Sequence, residues 1–394
     1  MATTSFLLTR ILPAYAFYRL FGRKSHINDA AAILFSSGSE GTPKGIVLSH
    51  RNFMANIKQI SDVLKTRDDD MVMGCLPPFH SFGLTVTTFL PLIEGIPVVC
   101  HPDPTDVLNI AKAIARNKVT VMCATATFLR LYNKNKKVQP LMLDSLRVVV
   151  AGAEKLSPDV REEFLTKFNK VIYEGYGATE TTPVASVNVP DQLDMNDWHV
   201  QLGSKIGTVG LPLPGCSFRI VDPVSLEKLP VDQDGLILIS GTQVMMGYLN
   251  DEEKTRSAIV ELDGRRWYKT GDKGHLDADG FLTIVDRYSR FAKLGGEMIS
   301  LGAVEHEIKK VIPEPDVELV AVNIPDEKKG EQVILLTTFE ITSDDLRKRL
   351  LEISCNPIMI PSVVHKVEAI PKLGSGKTDF SGAKKLALEL SIAE

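Results

Sequence analysis

Apolar runs of strand length alternate with longer amphipathic stretches through the first half of this chain, and that alternation restricts its fold more than any other feature. "AAILFSS", "MVMGCLPP", "IPVVCHP", "VTVMCAT", "LRVVVAG" and "KVIYEGY" read as strands, separated by helical patterns such as "RNFMANIKQISDVL" and "SPDVREEFLTKF". The pattern predicts an α/β fold, mostly parallel sheet with helices on its faces. In such sheets ligands gather at the carboxyl ends of the strands. Three of the runs lead straight into Gly-rich or polar turns, "SSGSEGTPKG", "AGAEKL" and "GYGATETT". From about residue 203 short β-runs and turns take over, including "FRIVDP", "GLILISG" and "GFLTIVDR". They predict a β-rich subdomain over about 203-288 within a large domain, 1-288. After "DRYSRFAKLGGE" the alternation resumes, which sets a boundary near Ser289 and a small α+β C-terminal domain, 289-394. Thr342 with Asp345 resembles the capping pattern of a helix start at "SDDLRKRLLEI".

Charge excludes one class of partner. Lys plus Arg number 45 and Asp plus Glu 49, for a net charge of −4, so no overall field favours nucleic acid. Cys75, Cys100, Cys123, Cys216 and Cys355 form no C-x-x-C pair and lie mostly in apolar runs, which predicts core thiols in a reducing, cytoplasmic compartment. No apolar run approaches the roughly 20 residues that span a bilayer. Residues 1 to 28 lack Asp and Glu but carry Arg10, Arg19, Arg23 and Lys24 among Phe, Leu and Tyr. This composition fits an amphipathic segment packed on the protein, a transit peptide, or a helix peripheral at the inner face of the membrane.

Spacing eliminates several chemistries. "HEIKK" at His306 lacks the second histidine of a zinc helix, "GYGATE" puts Glu180 where a dinucleotide fingerprint needs glycine, and no G-x-S-x-G elbow is present. Gly376-Lys377-Thr378 is not a P-loop, because the place of the first glycine is Pro371. "SSGSEGTPKG" fails the same pattern, yet its glycines, hydroxyls and lysine suit an anion-binding nest for a polyphosphate. A mobile surface loop is the alternative for that stretch taken alone. Thr179-Glu180 pairs a phosphate-directed hydroxyl with a carboxylate for Mg²⁺. Asp272 in "YKTGD" suits the vicinal hydroxyls of a ribose. Either carboxylate alone reads more often as a solvated or capping residue.

Taken in order, "LFSSGSEGTPKGIVLSH", "PPFHSFG", "VVAGAEKL", "YEGYGATET", "MMGYLN", "WYKTGDKGHLDADGFLTIVDR", "FAKLGGEMIS" and "PKLGSGKTDF" resemble the core motifs of the AMP-forming acyl-activating synthetases, from Leu34 onward. More narrowly, "SEGTPKG", "HSFGLTV", "AGAEKL", "RFAKLGGEMISL" and "LGSGKTDF" resemble the synthetase half of bacterial acyl-acyl carrier protein synthetases fused to a 2-acylglycerophosphoethanolamine acyltransferase. The resemblance implies ATP and Mg²⁺ as cofactors. It assigns Ser36, Ser37, Gly38, Ser39, Gly41, Thr42 and Lys44 to the β- and γ-phosphates. Gly152, Ala153, Glu154 and Tyr176 would frame the adenine. Thr179 would meet the α-phosphate, Glu180 would hold Mg²⁺, and Asp272 with Arg287 would hold the ribose. His80 would gate the acyl pocket. Lys377 would be carried into the site by the C-terminal domain, which the family is thought to rotate about a hinge at Ser289. Rotation would withdraw Lys377 and bring Gly295 and Gly296 toward a pantetheine tunnel.

The implied reaction activates a fatty acid as acyl-AMP and passes it to the thiol of acyl carrier protein. A fatty acyl-CoA synthetase is the alternative within the class, and a catalytically inactive nucleotide-binding fragment or partner subunit the alternative outside it. Two departures bear on this. Ser289 stands where the family commonly has Asp or Lys, and the family's chains begin well upstream of the phosphate loop. A fragment, a split enzyme or a shortened variant, with large-domain apolar surface left exposed, is the corresponding expectation.

Overall fold

The computed structural model describes residues 13–22, 24–37, 43–294, 297–312, 314, 317–326, 330–372 and 378–393. A seven-stranded sheet runs in the order Leu211–Pro212, Val184–Val187, Ile172–Gly177, Val148–Ala151, Val121–Ala124, Val72–Gly74 and Val98–Cys100. From Ile172–Gly177 to the Val98–Cys100 edge every pairing is parallel, and the two strands beyond are antiparallel. Both faces are covered. Val148 and Val150 join one core with Phe53, Ile57 and Ile60 of the helix His50–Leu64, while Val149 and Ala151 join another with Ile110, Leu129 and Phe164. Alternate residues of one strand feed opposite cores, and this is why the strand reads as an unbroken apolar run.

One strand lies outside the sheet expected of it. "AAILFSS" forms Ala30–Ser37, which pairs antiparallel with Pro43–Ser49 and, through that strand, with Gly247–Tyr248 in a separate three-stranded sheet. Only residues 38–42 separate the first two strands. That is enough for a hairpin and too short for the crossover a parallel pair needs. The outward face of this sheet is apolar: Phe35 is 67% exposed, with Ile33 and Leu249 also exposed beside it.

A five-stranded antiparallel sheet contains Ser217–Val221, Gly235–Ser240, Arg265–Leu276 and Ile259–Leu262, with Leu282–Arg287 on the far part of Arg265–Leu276. Because Leu211–Pro212 pairs with Val184–Val187, the separate β-rich sheet begins at Ser217 and not at residue 203. Beyond Tyr288 stands another five-stranded sheet, of Glu297–Ser300, Phe291–Leu294, Gly330–Thr337 and Leu319–Asp326, with Val363–Lys366 parallel to Gly330–Thr337. Helices Leu301–Val311 and Ser343–Glu352 share one of its cores and Phe380–Ala393 the other. The Thr342 cap forms, with the Asp345 N–H donating to Oγ1 at 3.1 Å.

One expectation about the cysteines needs correction. Cys75, Cys123, Cys216 and Cys355 are buried, but Cys100 is exposed at the end of the sheet's edge strand. Burial pushes the Cys75, Cys123 and Cys216 thiols up to about 12, so they stay protonated and unreactive. Residues Ala14–Phe21 of the N-terminal segment form a short helix on which Tyr15, Tyr18 and Leu20 are exposed. Among the described residues no helix is long and apolar enough to cross a membrane.

Candidate active site

Two polar clusters form at the end of Ile172–Gly177 and the turn after it, one against the five-stranded β-rich sheet and one against the three-stranded sheet. The first centres on Asp272, which is buried within Arg265–Leu276. Tyr176, near the end of Ile172–Gly177, donates its hydroxyl to Asp272 Oδ2 at 2.5 Å, and Arg287 Nε donates to Oδ1 at 3.1 Å. The backbone pairing Asp272↔Arg287 sets that second contact. Burial first, and then the Asp272 charge, push the Tyr176 phenol well above its ordinary range, so it remains a donor. The carboxylate's remaining lone pairs leave it capacity to accept further hydrogen bonds.

The second cluster centres on Glu180, buried in the turn Thr179–Thr181. Tyr248 donates its hydroxyl to Glu180 Oε1 at 3.0 Å, and the Met245 N–H donates to the Glu180 carbonyl at 2.8 Å. Lys44, opposite Ser36 in the hairpin register, places Nζ 5.5 Å from the centre of the Tyr248 ring. Thr179 Oγ1 lies 3.3 Å from Ser81 Oγ, which ties this turn to the "PPFHSFG" loop. Burial and then the Glu180 charge raise the Tyr248 phenol far above its usual range. Burial, and then the charges of the nearby Glu180, Tyr248, Tyr176 and Asp272 groups, raise the buried Tyr268 phenol as well.

Other expected site residues are more scattered. Gly152 follows Val148–Ala151 so closely under Phe82 that an added Cβ would stand 3.1 Å from the ring. Ala153 takes a left-handed φ of 71°, a conformation in which a non-glycine residue stores strain. The Glu154 carboxylate accepts from the Thr127 N–H at 2.9 Å and its hydroxyl at 2.8 Å at the start of Ala126–Lys134. His80 precedes the short helix Ser81–Leu84. Ser289 lies in the turn Tyr288–Arg290. Ser37 pairs with Pro43 through its backbone. Gly38, Ser39, Gly41, Thr42, Gly295, Gly296 and Lys377 lie outside the described residues.

Sequence reasoning passed over three residues that the structure places here. Tyr248 and Tyr268 look like ordinary core aromatics in "MMGYLN" and "RRWYKTGD". Asp286 looks like a neighbour of Arg287, yet its Oδ2 accepts from Ser300 Oγ at 2.6 Å and the Gly302 N–H at 3.0 Å. It thereby clamps the N-terminus of Leu301–Val311, where the helix dipole favours an anion. Asp286 and Arg287 point the same strand end at two places, one toward this helix and one toward Asp272.

The donor set suits Mg²⁺ shared with a ligand. Among the described residues no group of three or more His, Cys, Asp or Glu could hold a metal by itself. A single buried carboxylate beside hydroxyls matches the hard-oxygen preference of Mg²⁺, which is usually held by one or two carboxylates together with substrate phosphates.

The chain belongs to the AMP-binding enzyme family, which it matches over residues 19–249. It is 30% identical over 356 residues to a long-chain-fatty-acid–CoA ligase of Salmonella typhimurium, covering 89% of this chain and 60% of that protein. It thus spans about three-fifths of the length of such relatives. The ATP-bound structure of MatB from Rhodopseudomonas palustris aligns with a TM-score of 0.78 and 26% identity, over 94% of this chain and 70% of that one. An O-succinylbenzoate coenzyme A synthetase from Bacillus subtilis, in complex with ATP and magnesium ion, aligns with a TM-score of 0.75 and 26% identity, over 91% and 70%.

Proposed function

We propose that this chain activates a fatty acid with ATP, forming acyl-AMP, and passes the acyl group to a pantetheine thiol. The observation that carries this reading is the pair of clusters, one around Asp272 and one around Glu180, built on the end of the strand Ile172–Gly177 and the turn that follows it in an AMP-binding enzyme. Asp272 and Arg287 would take the ribose, and Gly152, Ala153 and Tyr176 the adenine. Lys44 with Ser36 and the following loop would take the β- and γ-phosphates, and Thr179 the α-phosphate. Glu180 would hold Mg²⁺, which when bound supplies positive charge between the carboxylate and the triphosphate.

A fatty carboxylate oxygen attacks the α-phosphorus and the bond to the β-phosphate oxygen breaks, releasing pyrophosphate. A thiol then loses its proton and attacks the acyl carbonyl, and AMP leaves. Neither step needs a protein nucleophile. Positioning and fixed charge carry the catalysis, with Lys377 bridging carboxylate and α-phosphate in the first step.

Two acceptors offer the same thiol chemistry. The name of the Salmonella relative favours coenzyme A. The motifs "RFAKLGGEMISL" and "LGSGKTDF" favour acyl carrier protein, which is acidic and would dock against basic segments such as Lys309-Lys310 and Arg347-Lys348-Arg349. Thioester formation from a panel of fatty acids, with each acceptor in turn, tests the reading. Carrier-protein transfer is expected to weaken steeply with salt, since steering between charged surfaces is screened. Equal or better use of coenzyme A assigns it as the acceptor, and the absence of thioester with either removes the second half-reaction.

A further inference from the structure

We infer that Tyr248 is a positioning residue that holds Glu180 and Lys44 apart, keeping an anion free for the metal and a cation free for the phosphates. The inference rests on the adenylation reading above and deepens it. Its basis is that one side chain meets both charges. The hydroxyl donates to Glu180 Oε1 at 3.0 Å, while the ring carries Lys44 Nζ at 5.5 Å from its centre. A cation within about 6 Å of a ring centre is attracted to its face. A carboxylate and an ammonium in a partly desolvated site attract one another strongly. Direct pairing would cancel both charges before ATP arrived. Tyr248 gives each charge a neutral partner instead.

The tyrosine itself is fixed on all sides. It is 8% exposed, and its strand pairs with Pro43–Ser49, the strand that bears Lys44. Its N–H donates to Thr255 Oγ1 at 2.9 Å. Three positions earlier, the Met245 N–H holds the Glu180 carbonyl. The segment from Met245 to Tyr248 therefore brackets Glu180 by backbone and by side chain, so Glu180 and Lys44 are set by one element.

The test compares wild type with Tyr248→Phe, which keeps the ring and removes the hydroxyl, and with Tyr248→Leu, which removes both. Mn²⁺ binding is read by electron paramagnetic resonance in the presence of a non-hydrolysable ATP analogue. Affinity for the same analogue without metal is read by calorimetry. For Tyr248→Phe, Mn²⁺ affinity is expected to fall about tenfold or more, as for loss of a hydrogen bond to a charged group, with metal-free nucleotide affinity unchanged. Pyrophosphate exchange by that variant recovers at high Mg²⁺, with the metal KM raised and kcat kept. For Tyr248→Leu, metal-free affinity falls as well, by about three- to tenfold. If the leucine variant does not fold by circular dichroism, the phenylalanine variant decides alone. Wild-type Mn²⁺ affinity in Tyr248→Phe overturns the inference, as does an equal loss of metal and metal-free binding. If wild type binds neither nucleotide nor Mn²⁺, the adenylation reading itself falls, and the inference with it.

Discussion

Replacing Asp272 with alanine is expected to lower ATP affinity about ten- to a hundredfold, as measured by calorimetric titration. The carboxylate is buried and receives the Tyr176 hydroxyl and the Arg287 guanidinium on separate oxygens. In the proposed complex it accepts the ribose hydroxyls as well. Hydrogen bonds to a charged group contribute about 1.5 to 3 kcal/mol, and each 1.4 kcal/mol is about a factor of ten. The loss extends past the ligand contact, because Tyr176 is left without its acceptor and Arg287 without its counter-charge. The Arg287 side chain is 65% exposed, so water replaces part of that partner and the guanidinium adds little to the cost. Thermal unfolding should therefore show a modest drop, of the order of 1 to 3 kcal/mol for one orphaned hydroxyl. Asp272→Asn, which keeps an acceptor for Tyr176, should melt closer to wild type while still losing ATP affinity. Unchanged ATP affinity in both variants removes Asp272 from the site.

Lys377→Ala is expected to suppress adenylate formation by about 10² to 10³, the range for a placed electrostatic group that acts in the transition state. Pyrophosphate exchange reads that step. Transfer from supplied acyl-adenylate to the thiol should survive, because the proposed rotation has by then withdrawn the lysine. Gly296→Trp should do the reverse, obstructing the pantetheine arm and sparing exchange. Equal loss of both half-reactions in both variants, with folding intact by circular dichroism, contradicts the two-conformation mechanism.

The sheet and its helices were legible because they leave periodic marks. Runs such as "LRVVVAG" carry two apolar faces, and both faces are buried. The Thr342 cap was legible because its contact spans only three residues. "AAILFSS" misled, since an apolar run states that a strand exists but not which neighbour it joins; the short connection to "PKGIVLS" carried that information. The carboxylates Glu180 and Asp272 stood out as charges at the ends of apolar runs. Their partners did not. Tyr248 meets Glu180 across 68 positions and Tyr176 meets Asp272 across 96, and such contacts have no period in sequence. Cys100 misled because an edge strand has the composition of a central one. Glu154 sits in a well-marked strand-end turn, yet a nearby helix N-terminus takes its carboxylate.

The central claim is that this chain makes an acyl-adenylate from ATP and a fatty carboxylate, and exchange of labelled pyrophosphate into ATP by the wild-type chain tests it most directly. Exchange that requires both Mg²⁺ and a fatty carboxylate, and that disappears when either is withheld, is the predicted result. Binding of ATP without exchange for any carboxylate in the panel contradicts the claim and identifies a nucleotide-binding chain that has no adenylating activity.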